Sequence, residues 1–402
     1  MKKNVITFLI VICFHSLWAS IQQDTTGTAG KLSIFGNVLF SREVLQDRMG
    51  FVPGRPMPEG WPEKSLENIA SFYMEQGYYF IRIDSLRWRF SGDNLVVNAE
   101  MWIHEGEVLR IGEILIIGED EKSYRKWLSG MESRPGSIFH DTILEQDIDH
   151  ILMYYENIGY PLTRVEIQSL SVQVDDTGHP FIDIVLQIHK KSFVDIGDLR
   201  SEGQQQTLEK VILRESRLKT GQPYKQKKID MAQKYLQRLE YFATVEKPHI
   251  QFQGEKADVT FRVKEGRTNT IDGVIGYIPP KDDGQNGYVT GRLEFQFRNL
   301  LGTGRFVEAF WEKKDNYSQA MRFGYEEPWL LGWPVNLGGQ FQQIIRDTTY
   351  IERHWKFYLR YRPSPTLSVE MKGGTSGSVT GLHRECSFQS GTYRIMASIG
   401  WF

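Results

Sequence analysis

The chain has 402 residues, with 48 lysines and arginines against 50 aspartates and glutamates, for a net charge of −2. A nearly neutral chain gives no electrostatic argument for binding nucleic acid or an acidic substrate. Beyond the N-terminal segment no run of 18 apolar residues occurs, which excludes membrane-spanning helices.

The first 20 residues have the layout of a secretory signal. Two lysines follow Met1, residues 5–14 are almost all apolar, and Ala19 and Ser20 precede a polar stretch. This order is typical of a signal peptide that is removed during export. Its removal would leave Cys386 as the sole cysteine of the two in the chain, so no intramolecular disulfide is expected.

Residues 31–266 contain three copies of one pattern. The first two copies are offset by 82 residues, and the matching pairs are Gly36 and Gly118, Pro53 and Pro135, Gly54 and Gly136, Tyr73 and Tyr155, Gly77 and Gly159, Tyr78 and Tyr160. The third copy follows with Gly203 and Gly221. Such repetition predicts repeated domains. We assign them to residues 31–106, 107–191 and 192–266, with a C-terminal region of residues 267–402.

Each copy predicts the order β-α-α-β-β. A β-branched strand ends near a glycine, a weak helix and a turn with proline and glycine follow, and a stronger helix precedes two alternating strands. The apolar face of the stronger helix comprises Leu66, Ile69 and Tyr73 in copy one, Ile148, Ile151 and Tyr155 in copy two, and Ile229, Ala232 and Leu236 in copy three. About 75 to 85 residues can bury a small core between the helices and one sheet face.

This order, with a glycine and a tyrosine directly after the stronger helix, resembles the polypeptide-transport-associated (POTRA) domain. The third copy departs from the signature at Glu240, where the glycine is missing. The resemblance implies three small α+β domains, and a different end to the helix in the third.

From residue 289 onward the hydrophobicity alternates with a period of two. Val289, Leu293 and Phe297 share one face of the first such strand, and Arg292 and Glu294 share the other. A soluble sandwich also alternates, but the crowded charges on one face and the aromatic residues near strand ends favour a transmembrane β-barrel. Those aromatic residues are Trp311, Tyr325, Trp329, Trp333, Tyr361 and Trp401.

Two turns of this region carry a second resemblance. The segments FRNLLGTGR (residues 297–305) and EPWLLGWP (residues 327–334) resemble the first and second periplasmic turns of the BamA/TamA family of outer-membrane barrels. The residues of these motifs are Asn299, Gly302, Gly304, Pro328 and Pro334. Glycine can adopt a positive φ in a tight reversal, and asparagine can bond to its own backbone nearby.

The family resemblance implies an outer-membrane protein that assembles, inserts or translocates other barrel polypeptides, with the three repeats in the periplasm. It implies that the second strand of each repeat is an exposed edge that binds unfolded clients by β-augmentation. The candidate residues are Ile81, Ile83, Leu162, Val165, Ile167, Val245 and Ile250. Further expected partners are the lipid bilayer, accessory assembly proteins on the repeats and a second chain that completes the barrel.

The first strand of the barrel is expected to form one side of a lateral seam. The residues assigned to it are Ile271, Gly273, Ile275, Gly276 and Tyr277. Glycines weaken strand pairing, which a seam that opens requires, but they also relieve crowding in a curved wall. Both interpretations remain open.

The sequence gives no indication of catalysis, and we expect no enzyme activity, cofactor or metal. No serine-hydrolase, zinc-protease, nucleotide-binding or dinucleotide fingerprint occurs, and the histidines are never at metal-ligand spacing. Asp282 and Asp283 are two acids in a turn and are interpreted as solvated. A passive pore, or a structural barrel anchored by its repeats, is the alternative function.

The predicted fold is thus three α+β POTRA repeats followed by an all-β antiparallel transmembrane barrel or partial barrel. We count about eight strands in residues 271–402, whereas the family has sixteen in one chain. Phe402 resembles a terminal aromatic signal but falls on the polar face of its strand. A truncated product without function, a half-barrel that pairs with another chain and a small closed barrel all remain open.

Overall fold

The computed structural model describes residues 27–91, 96–267, 269–280, 286–346, 350–380, 387–389 and 394–399. The signal segment, Asp282, Asp283, Cys386 and Phe402 lie outside these residues. The chain divides into two compact units, Met1–Tyr154 with Thr163–Lys191 and Tyr155–Leu162 with Ser192–Phe402. No helix in the described ranges is long and apolar enough to cross a membrane.

The first repeat folds as predicted, with two helices packed on a three-stranded sheet. Its elements are β1 (Thr28–Phe35), α1 (Arg42–Arg48), α2 (Trp61–Glu75), β2 (Arg82–Ser91) and β3 (Val96–His104). β3 lies in the centre, parallel to β1 and antiparallel to β2. The core includes Trp61, Ile69 and Tyr73 of α2. The predicted helical face therefore packs against the sheet.

The second repeat has the same topology. Its elements are β4 (Arg110–Ile117), α3 (Glu121–Gly130), α4 (Asp141–Asn157), β5 (Arg164–Val174) and β6 (Pro180–His189). β6 is the central strand, parallel to β4 and antiparallel to β5. Buried and half-buried residues alternate along β6, so one face of this strand packs into the core, as its period-two sequence predicts.

The third repeat differs in its second strand, which is divided in two. Its elements are β7 (Asp195–Glu202), α5 (Glu209–Ser216), α6 (Gln226–Gln237), β8 (Phe242–Val245), β9 (His249–Gln253) and β10 (Lys256–Glu265). β8 and β9 both pair with β10, and Pro248 lies between them. A proline has no N–H to donate to a neighbouring strand, which explains the interruption. The single second strand that the β-α-α-β-β order predicts is therefore wrong for this repeat.

The remaining strands form one antiparallel sheet. They are β11 (Asn269–Ile278), β12 (Tyr288–Leu300), β13 (Arg305–Lys313), β14 (Gln319–Glu327), β15 (Val335–Arg346), β16 (Tyr350–Tyr361), β17 (Leu367–Thr380), β18 (Ser387–Gln389) and β19 (Arg394–Ile399). β11 to β17 lie in chain order, and β18 and β19 pair with different parts of β17. The predicted fold class, three repeats followed by an antiparallel barrel sheet, is confirmed.

The two faces of this sheet have different chemistry. On one face the rings of Phe341 and Trp355 lie 4.5 Å apart, and Trp355 stacks on Phe357 at 6.4 Å. On the other face Glu326 accepts a hydrogen bond from the Tyr358 hydroxyl at 2.6 Å and from the Arg360 guanidinium at 3.0 Å. The alternation read from the sequence therefore separates an apolar face from a face of paired charges.

Candidate functional site

The second strand of each repeat lies at an edge of its sheet. β2 and β5 each pair with one strand only, the central β3 or β6, on the side opposite β1 or β4. In the third repeat β8 and β9 occupy the equivalent edge of β10. Within the described residues no strand pairs with the outer sides of these edges. Their backbone N–H and C=O groups are the kind that an added strand can use.

The opposite edge of each repeat is covered at its start by the chain itself. The segment with the repeated glycine folds back onto the first strand and makes the same hydrogen bond three times. These bonds run from Gly54 N to Ala29 O at 2.7 Å, from Gly136 N to Ile111 O at 2.7 Å and from Gly221 N to Ile196 O at 2.8 Å. The three glycines have φ between 77° and 83°, which other residues rarely adopt. Comparison of the three copies identified these glycines in the sequence, but it did not predict that they bond to the first strand.

The predicted client-binding side chains fall into two groups. Leu162 and Ile167 are each 37% exposed, and Ile83, Val165 and Ile250 are half-buried. Ile81 and Val245 are 7% and 6% exposed and belong to the cores of their repeats. Their side chains are unavailable to a client, which corrects the prediction at these two positions. The backbone of the edge strands, rather than a row of side chains, is the accessible feature.

The predicted seam strand β11 lies at an edge of the barrel sheet, and Ile271, Ile275 and Tyr277 are more than 60% exposed. All ten of its residues pair with β12 in one register. The glycines therefore do not interrupt the register of this pairing. A Cβ at Gly273 would lie 2.5 Å from the Leu293 side chain, so crowding explains that glycine.

The first turn motif joins β12 to β13 and contacts the third repeat. Asn299 accepts a hydrogen bond from Gly304 N at 2.7 Å and donates one to the Thr207 hydroxyl at 2.8 Å. Leu208 N donates to the carbonyl of Gly302 at 3.0 Å. Gly302 and Gly304 have φ of 72° and 79°, as the sequence predicted. The motif is thus both a turn and a docking element for the repeat.

Glu265 is the last residue of β10, and it stabilises the loop of residues 205–207 that contacts this turn. Its carboxylate accepts hydrogen bonds from the backbone N–H groups of Gln205, Gln206 and Thr207 at 2.6–3.2 Å. Burial alone would raise the pKa of Glu265, but these hydrogen bonds outweigh it and lower the pKa. In the first repeat the Glu105 carboxylate makes equivalent hydrogen bonds, which it accepts from Val38 N and Leu39 N.

The second turn motif, with Pro328 and Pro334, joins β14 to β15. Trp329 lies in the left-handed region with φ of 56°, and the guanidinium of Arg214 from α5 lies 5.6 Å from its ring centre. The turn after β16 adds a third link, because the Tyr235 hydroxyl of α6 donates to the Pro363 carbonyl at 2.8 Å. Three turns at one end of the sheet therefore hold the third repeat.

A family model described as POTRA, surface antigen variable number repeat, matches residues 28–106, 109–191 and 194–266. These matches cover more than half of the 402 residues. The chain belongs to the POTRA family. The resemblance stated from the helix and glycine pattern is confirmed, and each copy described above is a POTRA repeat.

The chain is also similar to proteins over more than its repeats. A putative outer membrane protein assembly factor of Treponema pallidum is 23% identical over 372 residues, which cover 89% of this chain and 43% of that protein. The outer membrane protein assembly factor BamA of Neisseria meningitidis is 23% identical over 331 residues, which cover 79% of this chain and 40% of that protein. The crystal structure of BamA from Haemophilus ducreyi lacking POTRA domains 1–3 matches 67% of this chain and 51% of that one, with 18% identity and a TM-score of 0.48. The chain thus spans less than half the length of these two curated relatives.

The POTRA repeats and these relatives assign the protein to the outer membrane, with its repeats in the periplasm, as the sequence predicted. The relatives carry the names of assembly factors and not of enzymes. In the part of the chain that the structure describes, no group of three or more His, Cys, Asp or Glu side chains could hold a metal ion.

Proposed function

We propose that this protein assembles or translocates other outer-membrane polypeptides by binding them as added strands. The observation that carries the proposal is the same unpaired edge in every POTRA repeat, namely β2, β5 and the β8–β9 pair. The glycine segment of each repeat already occupies the start of the opposite edge. A client would therefore add on the side of β2, β5 and the β8–β9 pair, where the whole edge is unpaired.

Addition of a strand suits a client that has not yet folded. An extended chain satisfies its backbone groups by bonding to those of an edge strand, and this places little demand on its sequence. Affinity per repeat would be low, because ordering the client costs conformational entropy. Several weak edges on one chain raise the effective concentration of client at the next edge. Accessory proteins would use other surfaces of the repeats.

The edge strand β11 would take part in the final step at the membrane. It is fully paired with β12 on one side, and its large apolar residues are exposed. The turn containing Asn299 fixes the third repeat to the same sheet. A client bound at β9 would thus remain close to the membrane-embedded sheet. The proposed partners are unfolded barrel polypeptides and the lipid bilayer.

Two neighbouring proline substitutions in β5, Ser171→Pro and Val172→Pro, test this proposal. Adjacent residues of an antiparallel strand direct their N–H groups to opposite sides, so one proline breaks a bond to β6 and the other blocks the outer edge only. Thermal unfolding identifies the variant with the intact sheet. We expect that variant to reduce client binding and the amount of folded barrel proteins in the outer membrane.

Unchanged barrel assembly in the stable variant would contradict client binding at β5. A passive pore makes a different prediction. It would give sustained flux of small solutes in liposome swelling, and its loss would leave barrel assembly unaffected. Measuring swelling and barrel assembly on the same variants therefore separates the two functions.

A further inference from the structure

A cavity of about 310 Å³ lies between the third repeat and the polar face of the sheet. Its lining is rich in guanidinium groups, which come from both sides. They belong to Arg217 and Arg238 of the repeat and to Arg298, Arg360 and Arg362 of the sheet and its turns. Guanidinium groups remain charged at neutral pH, so the cavity holds five fixed positive charges.

The three glutamates of the cavity neutralise only part of this charge. Glu326 is paired with Arg360 at 3.0 Å, and Glu240 is paired with Arg298. Glu215 is paired at 3.3 Å with Arg214, which lies next to the cavity.

Among the described residues, Arg217, Arg238 and Arg362 have no carboxylate within ion-pair distance. All three are half-buried. Unpaired charges in a partly desolvated site favour a counter-charge from outside.

Hydrogen-bond donors in and beside the same cavity also lack acceptors. Tyr241 is only 6% exposed, and its hydroxyl has no hydrogen-bond partner within the described structure. The Nε groups of Arg214 and Arg217 are buried and likewise without a partner there. Burial raises the pKa of Tyr241, so this hydroxyl keeps its proton and can donate. Buried donors in native proteins almost always have a partner.

We propose that this cavity binds an oxyanion, the carboxylate or phosphate group of a ligand. A ligand that only accepts hydrogen bonds would satisfy the Tyr241 hydroxyl and the arginine N–H groups together. The planar guanidinium group binds carboxylate and phosphate through two parallel hydrogen bonds. Trp329 and Phe306 supply apolar wall beside the charges, which suits an anionic group carried on a larger molecule.

The ligand would connect the two parts of the molecule that line the cavity. Arg217, Arg238 and Tyr241 belong to the third repeat, whereas Arg362 follows β16. An anion between them would replace repulsion across the interface with attraction. It would therefore stabilise the docking that Asn299 and the other turn residues provide. This inference does not depend on client binding at the repeat edges.

Calorimetric titration of the full chain in detergent tests the site with two probes. One is inorganic phosphate, and the other is a capped tetraglutamate peptide, with the capped tetraglutamine peptide as its neutral control. We expect at least one oxyanion probe to bind at a single site and to raise the unfolding temperature by mass action. Phosphate binding alone would identify a free ion as the source, and peptide binding alone a polypeptide carboxylate.

Single substitutions test whether the probe binds in this cavity. Arg238→Gln and Arg362→Gln should each weaken binding about tenfold, which is the effect of losing one charge-assisted contact of about 1.4 kcal/mol. Tyr241→Phe should weaken it by a smaller factor. Arg200→Gln is the matched control, because Arg200 is exposed on β7 and pairs with Asp198. If a glutamine variant fails to fold, Arg238→Lys and Arg362→Lys keep the charge and should bind more weakly than the parent.

Absence of binding by both oxyanion probes would overturn the proposal. Equal binding by the parent and by a folded protein with both arginine substitutions would also overturn it, since the ion would then bind elsewhere.

Discussion

The side-chain amide of Asn299, in the turn between β12 and β13, donates a hydrogen bond of 2.8 Å to the hydroxyl of Thr207 in the third POTRA repeat. Both residues are buried, at 8% and 4% exposure. The other side of the same amide accepts from the backbone of Gly304. One side chain thus stabilises the turn and attaches the repeat to it.

Substitution Asn299→Ala should loosen this attachment. It removes the donor to the Thr207 hydroxyl and leaves the Gly304 N–H without its acceptor, and an unsatisfied group of this kind costs about 1–3 kcal/mol when buried. Hydrogen exchange of the Leu208 amide, which bonds to Gly302 across the interface, is expected to accelerate. Gln253→Ala at the exposed end of β9 is the control. Unchanged exchange at Leu208 would mean that other contacts hold the repeat.

Gly302 and Gly304 offer a matched pair of substitutions in the same turn. Both have a positive φ, so Gly302→Ala and Gly304→Ala share the backbone strain. A Cβ at Gly302 would lie 2.0 Å from the Gln206 carbonyl, whereas at Gly304 the nearest atom is 3.4 Å away. We expect Gly302→Ala to lower the unfolding temperature more. An equal decrease would show that strain alone, and not contact with the repeat, selects glycine here.

The Glu265 carboxylate should make the third repeat sensitive to acid. Because hydrogen bonds lower its pKa in the folded state, its stabilisation is present above the unfolded value of about 4.3 and is lost as the pH falls through the folded value. Glu265→Gln should therefore decrease stability most above pH 5. The difference from the parent should shrink at lower pH. Urea unfolding of both proteins at several pH values, monitored by hydrogen exchange of the 205–207 amides, measures this difference in stability. A difference that does not change with pH would contradict the prediction.

The two faces of β16 give a test of membrane orientation. Phe357 lies on the apolar face with Trp355, and the neighbouring Lys356 points to the polar face. Phe357→Arg should cost about 2–4 kcal/mol if the residue faces the middle of the bilayer, and Lys356→Ala should cost much less. Unfolding from lipid vesicles measures both. Similar costs for the two substitutions would show that the assignment of the apolar and polar faces is wrong.

Much of the fold could be predicted because its pattern is periodic. The offset between Gly54 and Gly136 revealed the repeats, and the alternation around Leu293 revealed the sheet. The position of Ile81 was wrong as a client contact because period-two alternation does not say which face meets the helices. Arg238 and Arg362 escaped sequence analysis because more than 120 residues separate them, and only docking of the third repeat brings them to one cavity.

Capture of a nascent client on the edge of β5 tests the central claim most directly. A photo-crosslinking amino acid at Ile167, which is exposed on that edge, is compared in living cells with the same amino acid at Leu115 of β4. We predict that newly exported barrel polypeptides crosslink at position 167 and much less at position 115. Irradiation after an unlabelled chase should give less product, because the client has by then folded and left the edge. Equal crosslinking at both positions, or none at position 167, would contradict strand addition at the repeat edges.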